Sequence, residues 1–598
     1  MSTAPPASPT VAQLLLDYLA LEGVHTLFGI PGAAVAHIIT ELRAQRDRFA
    51  YVICRHETGA AYIAEGYARV TGRPGVVLVT AGPGATNALT GAVNAQSSGF
   101  PLLTISGEVP EAWFGKGYLQ EGMDFTVDVE SIFRAASRYS AFVASPESFV
   151  TLLTQAFRDA MSLPRRSVHL SIPDDVAGQS PSPVTLPSSP AAYRTEPDGV
   201  GAAKVRQTLD ALLGARWPLV FIGSGTREAL RGGRLEAFTE FVERFAIPVM
   251  TTPDAKGVFP ETHPLSLRTF GMAACEWPKY YLSPRAFDPA LPARYDALLV
   301  LASSLGGFAT NKFDPALVPA GPVIQVDLDQ GAIGRNLPLA VGAVAEVGAF
   351  IDALAEVGQS ARADGESVAR RAAFVAALKA KQSPFFDPQN RDSDTIPIKP
   401  QALMRCLTEQ LPSGTNVFVD CANCVGWSLH YLVVDPPTQV HTALVMAPMG
   451  FGVGAVIGGK LGAPGVPAVC ITGDAAFLMH GNEVSTAAQY RVGAVWVVLN
   501  DDDLGMVSQG QGYFFPVPGE PDAWKHYYAI GQPDVAKIAE GLGADAYPVR
   551  SVADARRILP EALARADRER KPQVVVVHVD RDAMPPYYPP KSRARHAT

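Results

Sequence analysis

Residues 466–501 read VPAVCITGDAAFLMHGNEVSTAAQYRVGAVWVVLND. Two apolar runs, AVCIT and VWVVL, enclose a segment of helical length, and this order predicts a strand, a helix and a second, parallel strand. Gly473 and Asp474 follow the first run directly, and Asn500 and Asp501 end the second. Because the carboxyl ends of parallel strands open onto the ligand crevice of a sheet, these polar residues are expected to converge there.

The same alternation of short apolar runs and helical segments occurs in three successive parts of the chain. We therefore predict an α/β protein with three doubly wound parallel-sheet domains. Apart from the two runs above, the predicted strands include YVIC (51–54), GVVLVT (75–80), PLVFIGSG (218–225), IPVMTT (247–252), DALLVLAS (296–303), PVIQVDLD (322–329), NVFVDCAN (416–423) and QVVVVHVD (573–580).

Composition changes between these parts indicate where the domains end. A Pro- and Ser-rich segment, GQSPSPVTLPSSP, begins the first linker, and a charged, Ala-rich region forms a second, helical one. The predicted division is a disordered tail at 1–10, domains at 11–177, 200–358 and 400–585, linkers at 178–199 and 359–399, and a tail at 586–598.

The composition is typical of a folded protein that acts on small molecules. The chain has 598 residues, 47% hydrophobic and 18% charged, with a net charge of −8, so nucleic acid and anionic membranes are not expected partners. The amino-terminal segment lacks the features of a signal peptide, and no apolar run reaches the ~18 residues of a membrane span, so we expect a cytoplasmic protein. The pair Cys421 and Cys424 lacks the second pair that a structural zinc site needs, and buried thiols are the favoured interpretation.

The acidic residues at the two strand ends suit a hard divalent cation. Asp474 and Asp501 offer oxygen ligands that Mg²⁺ or Ca²⁺ accepts, and Mg²⁺ typically keeps cofactor phosphates among its ligands. The sequence Gly-Asp-Ala is also compatible with an ordinary turn, since Gly and Asp are frequent in turns.

The spacing favours the metal site, because this segment resembles the signature of thiamine diphosphate-dependent enzymes, which begins Gly-Asp-Gly (or Ala) and ends Asn-Asn. Asp474 and Asp501 are 27 positions apart, as in the acetolactate synthase branch of that family, although the family usually has Asn at the second position. The resemblance implies thiamine diphosphate and Mg²⁺ as cofactors, with Asp474, Asp501 and the backbone carbonyl of Asp503 as metal ligands. It also implies cofactor contacts from Gly473, Ala475, Ala476, Leu504, Gly505 and Met506.

A second motif, HETGAAYIAEGYAR (56–69), lies in the first predicted domain. Glu57 by itself could simply favour the first turn of a helix. The whole run, however, resembles the His-Glu-x-x-Ala-x-x-x-Ala-x-Gly-Tyr-Ala-Arg element of the same family. The resemblance implies that Glu57 is catalytic: it hydrogen-bonds the aminopyrimidine ring of thiamine and so assists removal of the proton from the thiazolium carbon.

Five shorter segments match the family in the expected order. FGIPG (28–32) and AGPGATN (81–87) resemble its Gly-rich turns, which approach the cofactor closely. LQE (119–121) resembles a Phe-Gln-Glu element whose Gln faces the reacting carbonyl, although an exposed Gln is the alternative. DCAN (420–423) and MAPMGFG (446–452) resemble segments beside and beneath the cofactor, where a Met supports its bent form; such a Met is otherwise core filler. The site residues so implied are Pro31, Gly32, Gly82, Asn87, Gln120 (catalytic), Asn423, Ala447 (through its carbonyl) and Met449.

The middle part of the chain resembles the family's central domain. Acetolactate synthases bind a flavin there through an Arg-containing segment after the strand that corresponds to DALLVLAS. In this chain the segment reads SSLGGF (303–308) and contains no Arg, so FAD is not expected.

Taken together, the resemblance implies decarboxylation of a 2-oxo acid such as pyruvate and transfer of the acyl unit to an aldehyde, ketone or 2-oxo acid, giving an acyloin. The turn at 29–34 lacks the His pair of many related decarboxylases, which favours carboligation. Simple decarboxylation, acetyl transfer and a non-catalytic cofactor-binding subunit are the alternatives. In the family the two halves of the site meet between chains, which implies a homodimer or homotetramer.

Gly510 indicates the kind of acceptor. Acetolactate synthases carry a Trp at this position in a Gln-Trp-Gln context, whereas this chain has Gln509-Gly510-Gln511. The loss of an indole predicts a wider acceptor pocket, unless another aromatic residue such as Phe514 or Phe515 fills it.

Overall fold

The computed structural model describes residues 8–124, 126–195, 199–362, 364–520 and 522–587. It contains three six-stranded sheets, and neighbouring strands in each sheet are parallel. The prediction of three parallel-sheet α/β domains is therefore confirmed. Most of the two predicted tails, residues 1–7 and 588–598, lies outside the described residues.

The first sheet has the strand order β2-β1-β3-β4-β6-β5, with a topological switch point between β1 and β3. Its strands are β1 (Thr26–Gly29), β2 (Ala50–Ile53), β3 (Gly75–Val79), β4 (Leu102–Glu108), β5 (Tyr139–Phe142) and β6 (Ser167–Pro173). The flanking helices are α1 (Val11–Leu21), α2 (Ala36–Ala44), α3 (Glu57–Thr71), α4 (Pro83–Ser98), α5 (Val129–Ala136), α6 (Pro146–Met161) and α7 (Asp174–Ala177).

The second sheet has the order β12-β11-β10-β7-β8-β9. Its strands are β7 (Pro218–Ile222), β8 (Val249–Thr251), β9 (Ser266–Thr269), β10 (Ala297–Leu301), β11 (Val323–Asp327) and β12 (Val341–Val344). The associated helices are α8 (Ala202–Gly214), α9 (Thr226–Ala229), α10 (Gly233–Phe245), α11 (Glu276–Leu282), α12 (Pro284–Phe287), α13 (Val347–Ser360) and α14 (Gly365–Lys381).

The third sheet repeats the topology of the first, in the order β14-β13-β15-β16-β18-β17. Its strands are β13 (Asn416–Val419), β14 (Gln439–His441), β15 (Ala468–Gly473), β16 (Val495–Asn500), β17 (Asp545–Val549) and β18 (Gln573–His578). Its helices are α15 (Pro400–Gln410), α16 (Asn423–Tyr431), α17 (Phe451–Gly462), α18 (Asp474–His480), α19 (Glu483–Gln489), α20 (Gly505–Phe514), α21 (Lys525–Tyr528), α22 (Val535–Gly541) and α23 (Val552–Glu569).

The central strands are buried on both faces, which explains why they appear in the sequence as continuous apolar runs rather than as alternating patterns. Every residue of β3, β7 and β10 is buried. Helix α14 lies within the region predicted as the second linker, and its Phe374 and Leu378 pack in one cluster with Trp217 and Tyr281 of the second domain. This helix therefore adds to the core of the second domain.

The first and third domains share one hydrophobic core, which joins Phe28 and Tyr62 to Phe451 and Trp496. At its centre α3 lies directly against α17. A Cβ atom built on Gly66 would lie 2.0 Å from the carbonyl oxygen of Ala455. In the same way, a Cβ atom on Gly458 would lie 1.8 Å from the carbonyl oxygen of Ile63. Glycine is thus required on both helices, because the two backbones touch.

The helices were also compared with the requirements for a membrane-spanning segment. None of those in the described part of the chain combines the length and the apolar character needed to cross a bilayer.

Candidate active site

Asp474 joins the ends of β15 and β16. It is the first residue of α18, and its Oδ1 accepts a hydrogen bond from the backbone N–H of Ala475 at 2.7 Å. Its Oδ2 accepts from the N–H groups of Asp501 and Asp502, at 3.1 and 2.8 Å. The two strand ends that the sequence predicted to converge are therefore tied together by one carboxylate.

The electrostatics of this carboxylate pair favour a bound cation. Burial raises the pKa of Asp474 above its ordinary value. The pKa of Asp501 is also raised, first by burial and then by the negative charges of Asp474 and Asp503. A divalent cation between Asp474 and Asp501 would neutralise both charges.

Asp503 has a different environment. Its Oδ2 accepts from Arg581 Nη2 at 2.9 Å and from the Ser508 hydroxyl, so this side-chain oxygen is engaged away from the pair. In the described part of the chain, no three His, Cys, Asp or Glu side chains form a metal-binding group. A site made of two carboxylates and a backbone carbonyl is consistent with that observation, since phosphates and water usually supply the other ligands of Mg²⁺.

A cleft opens beside these residues at the switch point between β13 and β15. It encloses about 850 Å³, part of which is open to solvent. The predicted cofactor residues on its wall are Asn423, Met449, Gly473, Asp474, Ala475, Ala476, Asp501, Asp503, Leu504, Gly505 and Met506.

The cleft has features of a cradle for a polar ligand. A Cβ atom on Gly505 would lie 2.7 Å from Asp501 Oδ2 and 3.0 Å from Asn423 Nδ2, so only glycine leaves room there. Around Gly473, by contrast, a Cβ atom would meet no other atom within 4 Å. The buried Oδ1 atoms of Asn423 and Asp503 accept no hydrogen bond from any of the described residues. Unpartnered acceptor oxygens fit a cation or a hydrogen-bond donor, such as the metal ion of a phosphate ligand with its water, better than an apolar ligand.

Ala447 does not line the cleft, but it belongs to the turn that presents Met449. The turn is held by Asp420, whose side chain accepts from the N–H groups of Gly450 and Gly452, each at 2.9 Å. Ala447 itself has a φ of 51°, which is unusual for a residue with a side chain. Asp420 was not predicted as a site residue.

Gln509 is a second residue that the sequence did not indicate. Its Oε1 accepts from Asn423 Nδ2 at 3.0 Å, while its Nε2 donates to the carbonyl of Arg581 at 2.7 Å. Both residues that were missed act through partners distant in sequence, and only their place in or beside a motif could have pointed to them.

The first domain brings together Glu57 and Asn87. Glu57 begins α3 directly after the N-cap residue His56 and is 8% exposed. Asn87 Nδ2 donates to Glu57 Oε2 at 3.0 Å, and the Thr58 hydroxyl donates to the carbonyl of Asn87. The carboxyl group therefore has a fixed orientation at the start of its helix.

Pro31, Gly32 and Gly82 lie after the ends of β1 and β3, beside the switch point of that sheet, whereas Gln120 lies in the loop after β4. Pro31 and Gln120 are exposed. A Cβ atom on Gly32 would lie 2.4 Å from the Thr80 hydroxyl, and one on Gly82 would lie 3.0 Å from the carbonyl oxygen of Gln120. These turns pack so closely that side chains are excluded.

Among the residues that the structure describes, the two groups of predicted residues do not share this cleft. All the residues on the wall of the third-domain cleft lie between positions 400 and 583, and none belongs to the first domain. The implied meeting of the two halves between chains stays a prediction.

Gly510 is buried within α20 and does not line the cleft, whose wall includes Val507 and Gln509 of the same helix. Phe514 and Phe515, at the end of α20, are 61% and 62% exposed. Neither ring fills the cleft in the single chain.

The segment after β10 contains Ser303 and Ser304 in the position where the family's flavin-contacting segment lies. Arg335 Nη2, from the loop after β11, donates to the carbonyl of Ser304 at 3.2 Å. At the switch point of this sheet, a Cβ atom on Gly223 would lie 2.0 Å from the carbonyl oxygen of Ala302. This close approach continues the pairing of β7 with β10, since the N–H of Gly223 donates to the carbonyl of Leu301 at 2.8 Å.

Comparisons with known proteins agree with this geometry. Three models of the thiamine pyrophosphate enzyme family match: the N-terminal TPP binding domain at residues 9–127, the central domain at 205–354 and the C-terminal TPP binding domain at 420–579. The chain is 31% identical to a putative acetolactate synthase large subunit of Mycobacterium tuberculosis, over 93% of this chain and 96% of that protein. It is also 31% identical to an acetolactate synthase of Arthrospira platensis, over 96% and 94% of the two chains.

Each of the three sheets contains strands matched by one of these models, and the carboxylates at the ends of β15 and β16 lie inside the matched C-terminal TPP binding domain. The chain is a thiamine diphosphate-dependent enzyme and belongs to the acetolactate synthase-like branch of the thiamine pyrophosphate enzyme family.

Proposed function

We propose that the protein is a carboligase that decarboxylates a 2-oxo acid such as pyruvate and transfers the acyl unit to an aldehyde, a ketone or a second 2-oxo acid. The observation that carries the proposal is the convergence of Asp474 and Asp501 at the wall of one cleft, in a chain that also orients Glu57 through Asn87. Relatives named acetolactate synthase support a small 2-oxo acid as the donor.

In this proposal the cofactor is thiamine diphosphate with Mg²⁺. Asp474, Asp501 and the carbonyl of Asp503 would hold the metal ion, and Asn423 and Gly505 would contact the phosphates. When bound, thiamine diphosphate supplies a carbon nucleophile that attacks the donor carbonyl and accepts the electrons released with CO₂. The protein supplies orientation, protons and exclusion of water.

Two side chains of the first domain carry the proton chemistry and the orientation. Glu57, held by Asn87, exchanges a proton with the ring nitrogen of the aminopyrimidine group. The amide of Gln120 donates to the oxygen of the reacting carbonyl and fixes its direction. Gln120 is exposed and follows Leu119, which is 78% exposed in the single chain. We propose that a partner subunit covers this region in a homodimer or homotetramer.

The direct test is to incubate the protein with thiamine diphosphate, Mg²⁺ and a panel of 2-oxo acids, with and without aldehydes and ketones, and to identify the products by mass spectrometry. Acyloin products support the proposal. Release of CO₂ with only the simple aldehyde as product, whatever acceptor is added, would identify a decarboxylase instead.

We predict that the purified protein is colourless. The segment SSLGGF (303–308) offers no Arg side chain to a flavin. The check is an absorption spectrum of the native protein and of the supernatant after denaturation. Flavin bands in either sample would show this prediction to be wrong. So would flavin bands that remain with the protein after it is incubated with FAD and desalted.

We predict that Gly510→Trp shifts acceptor preference towards small 2-oxo acids. Gly510 is buried in α20 beside Val507 and Gln509 of the cleft wall, so an indole of on the order of 150–250 Å² would push this wall into the cleft and narrow it. The wild type should prefer bulkier aldehydes or ketones. The measurement is competition between pyruvate and larger acceptors. Gly512→Trp is the matched control, since a Cβ atom on Gly512 of the same helix meets no atom within 4 Å. Dominant acetolactate formation by the wild type, unchanged in Gly510→Trp, would contradict the idea.

A further inference from the structure

Helix α19 of the third domain holds the turn between β2 and α3 in the first domain. The Glu483 carboxylate, whose residue is 0% exposed, accepts through Oε1 from the backbone N–H groups of Arg55 and His56, each at 3.0 Å. Its Oε2 accepts from the Thr486 hydroxyl at 2.7 Å. A buried carboxylate of one domain therefore fixes the two backbone amides that immediately precede Glu57.

Other side chains of the same segment hold the same turn. Arg55 Nε donates to the Ser485 hydroxyl at 2.9 Å, and its Nη2 donates to Gln489 Oε1 at 2.7 Å. The Tyr490 hydroxyl accepts from the N–H of Ile53 at 2.8 Å. The third domain thus forms hydrogen bonds with both the strand end and the helix end of this turn.

Gly59, in the first turn of α3, shows how tightly Glu483 fits. A Cβ atom at this position would lie 2.3 Å from Glu483 Oε1. Any side chain here would have to displace the carboxylate or move the helix. The glycine and the carboxylate thus form a matched pair across the domain boundary.

We propose that Glu483 is a positioning residue for Glu57: it fixes the first turn of α3, and with it the direction in which the Glu57 carboxyl meets the cofactor. Charge-assisted hydrogen bonds to backbone N–H groups are short and directional, and an anion at the start of a helix is also favoured by the helix dipole. Small errors in the position of a catalytic group cost large factors in rate. This inference rests on the proposed role of Glu57.

The hydrogen bonds of Glu483 also connect the turn before Glu57 with the proposed metal site of the same chain. Helices α18 and α19 are consecutive, and α18 begins with Asp474 while α19 begins with Glu483. The segment from Asp474, the proposed metal ligand, to Glu483 therefore reaches from the end of β15 to the turn that precedes Glu57. Glu483 sets Glu57 relative to the third domain rather than only to its own sheet.

The test uses Glu483→Ala in the full chain. Without cofactor, hydrogen–deuterium exchange followed by mass spectrometry should show faster exchange in the peptide that contains residues 55–59. With thiamine diphosphate and Mg²⁺ bound, exchange of the thiazolium C2 proton, measured by acid quench and NMR, should slow by about tenfold or more, whereas cofactor affinity stays near that of the wild type.

Three variants complete the test. Glu483→Gln should restore most of the C2 exchange rate, because its amide oxygen can accept both N–H groups. Gly59→Ala should slow C2 exchange in the same way although the Glu483 carboxylate is kept. It replaces Glu483→Ala in the test if that variant fails to fold. Glu540→Gln, an exposed position on α22, is the control and should behave as wild type.

The outcomes separate the role of Glu483 from that of Glu57. If Glu57→Gln slows C2 exchange but Glu483→Ala and Gly59→Ala do not, the positioning role is overturned and the proposed function stands. If Glu57→Gln leaves C2 exchange unchanged, the role of Glu57 fails, and the role of Glu483 fails with it.

Discussion

Glu57→Gln is expected to lower kcat for acyloin formation by on the order of 10²-fold or more, the usual range for the loss of a positioned proton-transfer group. The variant should fold, because a glutamine oxygen can still accept from Asn87 Nδ2 and the amide is nearly isosteric with the carboxyl group. It cannot, however, exchange a proton with the aminopyrimidine ring. Steady-state turnover, together with thiamine diphosphate affinity measured by calorimetry, checks this result.

Glu147→Gln is the matched control for Glu57→Gln. Glu147 also lies in the first turn of a first-domain helix, α6, but it is exposed, so turnover should not change. If Glu57→Gln turns over as fast as the control, Glu57 has no part in the reaction.

Asp474→Ala is expected to abolish Mg²⁺-dependent retention of thiamine diphosphate, with a loss of affinity of about 10²-fold or more. The substitution removes one proposed metal ligand. It also removes the acceptor for the N–H groups of Asp501 and Asp502, so the loop after β16 loses its link to β15. Calorimetric titration with the cofactor, at several Mg²⁺ concentrations, measures the effect.

Asp474→Asn separates these two contributions. Its amide oxygen can keep the loop in place, but the charge that binds the metal is lost, so weak binding is still expected. Asp567→Ala is the control, because Asp567 pairs with Lys460 and lies outside the cleft. Wild-type affinity in both Asp474 variants would place the metal elsewhere.

The sheets could be predicted because their strands are buried on both faces. A run such as GVVLVT (75–80) has few alternatives to a central parallel strand, and β3 lies where that run predicts it. The packing of α14 was harder to predict. Its charged and Ala-rich sequence resembles a solvated linker, and only the contact of Phe374 with Trp217 shows that one face belongs to a core.

The residues of the site also fall into those that the sequence pattern predicts and those that only tertiary packing reveals. Asp474 and Asp501 lie at strand ends, and their convergence follows from the geometry of a parallel sheet. Glu483 could not be found in this way, because its backbone partners Arg55 and His56 are 428 and 427 positions away. A contact of that kind depends on how whole domains pack, and no local pattern encodes it. Asp420 was missed although its contact lies within the third domain, because the turn that it holds is 30 positions further along the chain.

The contact of α3 with α17 also bears on motion. Domains of one chain usually shift relative to one another, because they meet through side chains whose rotamers adapt. Here Gly66 and Gly458 bring backbone against backbone within a shared core, and such a surface cannot slide without opening voids. The first and third domains should therefore behave as one rigid body, so any hinge that admits substrate must lie outside their common interface.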